Sequence, residues 1–239
     1  GLTNFAYKVF AGQNITLTAT EGNVQNISVL ESVKGDVKLV AQNGNVSYGT
    51  SESERAGEII TLGGTVTLES LGKDDLGQGY SVTNYGDIIA VNKFGGDDVN
   101  AGSIVLRSAS GNVNNFDDFN TYSKATPGAT DYELALFKGN HKSAGLTDTQ
   151  ITYNLATSNI TLSARNGTIV NSKDYLVALG NVIMEAQEGI ASVGQVILAG
   201  GTISLEDTDG ELLNKAKLIS VNGDVNLKSA QGSVINDET

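Results

Sequence analysis

Apolar and polar residues alternate in short segments that recur through the chain about every 22 residues. In the last copy Val225 and Leu227 flank a polar residue, a glycine follows at 232, and Val234 and Asn236 complete the segment. Alternation with period two predicts a strand with one buried face, and the glycine predicts a turn. A fixed period of this size indicates stacked units, none of which buries its apolar side without a neighbour.

Each unit is predicted to contain three short strands. A second strand follows the glycine turn, and a third apolar run, such as Ile59–Leu62 or Leu176–Leu179, precedes the next copy. Three strands and three turns make one triangular coil, and stacked coils pair equivalent strands in parallel, with right-handed crossovers. The sequence therefore predicts an all-β fold, a right-handed parallel β-helix (β-solenoid) of about nine to eleven coils. The predicted inner positions are 15, 37, 66, 88, 104, 160, 182, 203 and 225.

An asparagine closes the second strand in most copies. We interpret these residues as a structural ladder, because stacked asparagine side chains can hydrogen-bond along the axis and asparagine tolerates a left-handed backbone at a corner. The ladder consists of Asn26, Asn115, Asn171, Asn214 and Asn236.

Residues 1–239 are predicted to form a single β-helix domain whose period is broken by segments 49–57, 72–79 and 116–150. The chain begins within a repeat-like strand and ends after a complete repeat, so we expect it to be a fragment of a longer array.

The segment 116–150 is the longest interruption, and it holds five of the 14 aromatic residues with the only proline and the only histidine. A capping-box pattern from Thr130 predicts a short helix over 131–138. Insertions on solenoids often carry binding residues, whereas the alternative is that these aromatics pack against the rod. The candidate partner contacts are Phe116, Phe119, Tyr122, Tyr132, Phe137 and His141.

The net charge of -12 and the absence of Lys/Arg clusters argue against nucleic acid as a partner. No apolar stretch approaches the length of a membrane span. Adjacent acids in irregular segments are candidates for binding Ca²⁺, which takes oxygen ligands, and the alternative is that they are simply hydrated. These pairs are Asp74 with Asp75, Asp97 with Asp98, and Asp117 with Asp118.

The sequence contains no motif of a nucleophilic or metal-dependent enzyme and no cysteine. Carbohydrate-active β-helices gather acids on one outer face, but the outward acids of this chain are scattered along the sequence. Arg107 and Arg165 occupy equivalent positions after a leucine, with no acidic constellation tied to them. No catalytic residue and no cofactor is therefore predicted. The outward acids are Asp36, Glu69, Glu185, Glu206 and Asp224.

The segments Gly35–Val46 and Ser158–Ile169 share the pattern Gly/Ser-x-Val/Ile-x-Leu-x-Ala-x-x-Gly-x-Val/Ile. This pattern resembles the repeats of filamentous-haemagglutinin-type adhesins, the large exoproteins of Gram-negative two-partner secretion. The resemblance implies an extracellular β-helical shaft at the bacterial cell surface, active in adhesion or biofilm cohesion. The Asn-Pro-Asn motifs of that family's secretion domain do not occur here, so the resemblance assigns no functional residues.

We therefore expect a non-catalytic structural and adhesive shaft. Its partner would be a glycan, a surface protein of a host or neighbouring cell, or a second copy joined end to end or side by side, into a fibre where the coil ends are open. The alternative is a polysaccharide lyase or hydrolase that uses an outer face of the rod.

Overall fold

The computed structural model describes residues 1–49, 58–92, 101–116 and 153–237. These residues form 25 strands and no helix, and the strands follow one another around a triangle in strict rotation. The fold is the predicted right-handed parallel β-helix, with three strands in each coil and one sheet along each side. We number the strands in chain order.

Sheet 1 has nine parallel strands and holds the short strand that follows the glycine turn of each repeat. Its strands are β1 (Leu2–Asn4), β4 (Val24–Asn26), β7 (Val46–Tyr48), β10 (Val82–Asn84), β13 (Val113–Asn115), β16 (Thr168–Asn171), β19 (Gly189–Ser192), β22 (Glu211–Asn214) and β25 (Val234–Asn236).

Sheet 2 has eight parallel strands and holds the third apolar run of each repeat. Its strands are β2 (Lys8–Ala11), β5 (Val29–Ser32), β8 (Glu58–Thr61), β11 (Asp87–Ala90), β14 (Tyr153–Ala156), β17 (Tyr175–Ala178), β20 (Val196–Ala199) and β23 (Lys217–Ser220).

Sheet 3 also has eight parallel strands and holds the alternating strand that opens each repeat. Its strands are β3 (Ile15–Glu21), β6 (Val37–Asn43), β9 (Val66–Ser70), β12 (Ile104–Ser108), β15 (Ile160–Ala164), β18 (Val182–Ala186), β21 (Ile203–Asp207) and β24 (Val225–Ser229).

The core is a set of aliphatic columns inside the triangle. Equivalent residues of successive coils pair in register, so that Val66 lies directly between Val37 and Ile104, and all three are fully buried. Each such side chain contributes about 1.5–3 kcal/mol on leaving water. Because the stacked residues are alike in size, the columns pack without changing the register from coil to coil.

The predicted number of coils was too large. The described strands make eight complete coils and one additional strand, which gives a rod about 40 Å long at the ordinary strand spacing. The error came from Ile88, which does not belong to the column of Val66 in sheet 3. It lies in β11 of sheet 2, where it pairs with Ile59.

The interruption that precedes Ile88 accounts for the misplaced position. The connection between β9 and β10 spans residues 71–81, whereas the equivalent connection between β3 and β4 spans only 22–23. A fourth interruption follows between β11 and β12, at residues 91–103. The segment 72–79 lies between β9 and β10, as a turn with a single antiparallel bridge from Lys73 to Gly79. Most of 49–57 and 116–150, including the helix predicted over 131–138, lies outside the described residues.

Candidate functional surfaces

The ladder asparagines lie at the corner between sheets 1 and 2, with their side chains inside the rod. Asn115 accepts a hydrogen bond from Nδ2 of Asn84 at 2.9 Å and donates to Oδ1 of Asn171 at 2.8 Å. Asn154 of sheet 2 also donates to Asn115, at 3.0 Å. All four side chains are fully buried, and these bonds pair only part of their polar atoms. Oδ1 of Asn84, Oδ1 of Asn154 and Nδ2 of Asn171 have no hydrogen-bond partner in the described part of the chain.

The same amide groups also close the corner itself. Asn26 donates through Nδ2 to the carbonyl oxygen of Ser28 at 2.8 Å, and Asn214 makes the same 2.8 Å bond to Ala216. Asn26 and Asn214 therefore fix the chain two residues ahead of them, where the backbone leaves one sheet for the next. The predicted left-handed backbone was wrong, because no non-glycine residue in the described ranges has a positive φ.

Two residues interrupt the ladder in its own column. Tyr48 pairs in register with Asn26 and Asn84, and its hydroxyl donates to the carbonyl oxygen of Ser28 at 3.3 Å. Ser192 lies between Asn171 and Asn214, and its side chain is too short to reach either of them. The asparagine ladder is therefore interrupted at Tyr48 and at Ser192, and it is not continuous along the rod.

A buried lysine stands beside the ladder at the same corner. Nζ of Lys173 donates to the carbonyl oxygen of Tyr85 at 3.0 Å and lies 3.6 Å from Oδ1 of Asp87. Its side chain is fully buried, which requires polar partners of this kind. The ring of Phe116, where the long interruption begins, lies 5.5 Å from the ring of Tyr85.

Phe116 is the one candidate partner contact that falls within the described residues, where it is half-buried. The other five candidates lie outside them.

Asp74 of the described acidic pair, Asp74 with Asp75, uses its carboxylate within its own turn. Oδ1 of Asp74 accepts hydrogen bonds from the backbone N–H groups of Leu76 and Gln78, at 3.0 and 2.7 Å, so it holds its own turn. The structure describes no cluster of three or more metal-ligating side chains within the ranges it covers. The other two acidic pairs lie outside those ranges.

The outer face of sheet 3 brings together charged side chains that are far apart along the sequence. A column of outward residues crosses the sheet, one from each coil, and its later members line a shallow groove together with Arg165. Within it Nε of Arg107 donates to Oε1 of Glu69 at 2.7 Å. The column runs through Thr18, Val40, Glu69, Arg107, Ser163, Glu185, Glu206 and Lys228.

Two acids in this groove are direct neighbours. Glu185 and Glu206 pair in register on adjacent strands, which places their backbones about 4.8 Å apart. Both side chains are exposed, and Oε1 of Glu206 accepts a hydrogen bond from Ser204 at 2.9 Å. The expectation that the outward acids are scattered was therefore wrong for this pair. Their separation of 21 residues, close to one coil, is the signal that identifies them.

No helix in the part of the chain that the structure describes is long and apolar enough to cross a membrane. In comparisons with known proteins, the chain matches no protein-family model, no curated protein and no solved structure.

Proposed function

We propose that this chain is a non-catalytic structural and adhesive shaft, displayed outside a bacterial cell. The observation that carries the proposal is that the repeated residues are used to build the rod. Inner aliphatic residues form the columns, and the ladder asparagines close the corners. What varies between coils is the outward side chains, which suits a spacer that presents a surface over about 40 Å.

The partner is a glycan, a cell-surface protein or a second copy of the chain.

The adhesive function is tested by measuring binding of the purified chain to bacterial and host cells and to immobilised glycans. Saturable binding of the intact chain supports the shaft. A variant in which Glu69, Arg107 and Lys228 are replaced by alanine tests whether the outer face of sheet 3 makes the contact, because loss of binding in this variant would assign the contact to that face. Absence of binding to every surface, with no self-association by sedimentation, would contradict it.

A second candidate function rests on the pair Glu185 and Glu206. Retaining glycosidases use two carboxyl groups about 5–5.5 Å apart, and neighbouring coils offer a comparable spacing. The test is release of reducing ends or unsaturated products from polysaccharides. Turnover that Glu185→Gln or Glu206→Gln abolishes, and that Glu211→Gln on another face leaves intact, would establish an enzyme and exclude the non-catalytic shaft.

A further inference from the structure

The asparagine ladder inside the rod is broken at Ser192. Along the ladder an amide donates through Nδ2 to Oδ1 of the asparagine in the next coil, as Asn115 does to Asn171 at 2.8 Å. Asn214 continues in the same direction by donating to Asn236, also at 2.8 Å. Ser192 holds the register position between Asn171 and Asn214, so the series of amide hydrogen bonds stops at this coil.

The two amides that flank Ser192 are oriented by their other partners. Oδ1 of Asn171 accepts the hydrogen bond from Asn115, so the Nδ2 group of Asn171 is directed toward the coil of Ser192. Nδ2 of Asn214 donates to the carbonyl oxygen of Ala216 and to the following coil, so the Oδ1 atom of Asn214 is directed toward the coil of Ser192 from the other side. A hydrogen-bond donor and an acceptor therefore face the serine from opposite directions.

These polar atoms are buried without a partner in the part of the chain that the structure describes. They are Nδ2 of Asn171, Oγ of Ser192 and Oδ1 of Asn214, and all three side chains are fully buried. A buried polar group is normally hydrogen-bonded, either to the protein or to an ordered water. Three such atoms in one column therefore define a site for a small polar ligand.

The size of the site matches one small molecule. Asn171 and Asn214 are two strand spacings apart, about 9.6 Å, and serine lacks the carboxamide group that asparagine carries at this position in other coils. That group is close in volume to one water molecule, about 30 Å³. Tyr48, which also replaces a ladder asparagine, fills the column with its own ring. The site is therefore particular to the coil of Ser192.

We propose that one water molecule is bound inside the rod at Ser192. It accepts a hydrogen bond from Nδ2 of Asn171, donates one to Oδ1 of Asn214, and makes a third with the Ser192 hydroxyl. Buried waters make about three hydrogen bonds of this kind. A metal cation has no lone pair to accept from Nδ2, and an anion has no proton to donate to Oδ1, so the site selects a neutral molecule that is both donor and acceptor.

The bound water joins the two parts of the ladder across the coil of Ser192. Because the surrounding side chains are fully buried, the water exchanges with solvent only when the stack of coils opens locally. It is therefore a permanent part of the folded rod. This inference concerns the interior of the shaft and does not depend on whether the shaft is adhesive.

Crystal structures that show ordered water test the proposal directly. In the natural chain we expect one water within about 2.7–3.2 Å of both Nδ2 of Asn171 and Oδ1 of Asn214. Ser192→Asn should lose this water, because the new amide takes its place. The matched control is Ser47→Asn, the same chemical change at an outward position of β7, which should retain the water. A natural chain without a water there, or a water that persists in Ser192→Asn, would overturn the proposal.

Nuclear Overhauser spectroscopy in solution provides a second test that needs no substitution. The Nδ2 protons of Asn171 should show a cross-peak to water with the sign of a long-lived contact. The Nδ2 group of Asn115, which donates to Asn171, is the internal control and should show none. Equal cross-peaks for the two side chains, or no cross-peak at Asn171, would refute a bound water at this coil.

Discussion

The ammonium group of Lys173 donates a 3.0 Å hydrogen bond to the carbonyl oxygen of Tyr85, although the two residues are 88 positions apart. Lys173 lies in the corner between β16 and β17, and Tyr85 lies in the corner between β10 and β11, two coils away. The coil between them joins β13 to β14 through residues 116–152 instead of a two-residue corner. The lysine side chain therefore links the corners of two coils that are not adjacent in the stack.

Replacement of this lysine should destabilise the rod. Lys173→Met keeps most of the side-chain volume but removes the buried positive charge beside Asp87 and the hydrogen bond to Tyr85. Removing one partner of a buried charged pair costs about 3–5 kcal/mol, so we expect a loss near the lower end of that range. Urea unfolding followed by circular dichroism measures it.

The control for this variant is Lys215→Met, in the same corner two coils later, where the lysine is exposed. Its free energy of unfolding should change by less than about 0.5 kcal/mol. Equal effects of the two substitutions would contradict a stabilising role for the buried contacts of Lys173.

The interruption of the asparagine ladder at Ser192 predicts a stabilising substitution. Nδ2 of Asn171, Oγ of Ser192 and Oδ1 of Asn214 are all buried without a hydrogen-bond partner in the protein. Ser192→Asn places an amide in register between the two asparagines, as at other coils, and can bond to both. Two such bonds should add about 1–2 kcal/mol to the free energy of unfolding, measured by thermal denaturation.

The control for Ser192→Asn is Ser192→Leu, which adds a similar volume without an amide. We expect the leucine variant to be less stable than the natural chain, because it leaves both neighbouring amides unsatisfied. A gain of stability from leucine as large as that from asparagine would show that cavity filling, and not the ladder, is responsible.

The sequence predicted the coil because each strand repeats the same local pattern. In the last repeat, the alternation around Val225 and Leu227 specifies a strand, the glycine specifies a turn, and Asn236 specifies the end of the next strand. The period specifies how the coils stack. Period alone could not place Ile88, since the connection between β9 and β10 is longer than its equivalents and shifts the residue count before β11. Extra residues between two strands change which strand a given residue number falls in, without changing the hydrophobic pattern of the strands.

The surfaces were harder to predict, because they depend on register between coils. Glu185 and Glu206 become neighbours only when their strands pair, and Lys173 reaches Tyr85 only when the coils stack. Val177 and Leu198 follow the outward alternation of an ordinary exposed face, so nothing local in the sequence indicates that they are buried. Such relationships follow from the whole stack.

Tyr48 predicts a dependence of stability on alkaline pH. Burial raises the pKa of its phenol well above 10.0, and the negative charges of Asp87 and Glu58 raise it further. A group with a higher pKa in the folded state contributes stability that is complete below the unfolded pKa and is lost as pH rises. The folded chain should therefore lose stability above about pH 10, where the unfolded tyrosine ionises.

The variant that isolates this effect is Tyr48→Phe, compared with Tyr7→Phe, which removes an exposed hydroxyl. At pH 7 the first variant should lie within about 1 kcal/mol of the natural chain, because it loses one long hydrogen bond. Above pH 10 its relative stability should rise by up to about 1.4 kcal/mol per pH unit. Urea unfolding of each variant and of the natural chain at pH 7 and at pH 10.5 measures this effect. If the difference in free energy of unfolding between Tyr48→Phe and the natural chain is the same at both pH values, the prediction is refuted.

The close stacking of corners predicts that glycine is required where one coil rests on the next. A Cβ at Gly210 would overlap the backbone carbonyl of Glu188 in the preceding coil, whereas a Cβ at Gly12 would meet no atom within 4 Å. Gly210→Ala must therefore separate two coils, at a cost of about 1–3 kcal/mol or more, while Gly12→Ala should be neutral or slightly stabilising. The melting temperatures of the two variants show the effect of one added methyl group at a stacked site and at an open site. If both melting temperatures change by a similar amount, the spacing between coils tolerates the methyl group, and the repeated glycine is needed only for the turn.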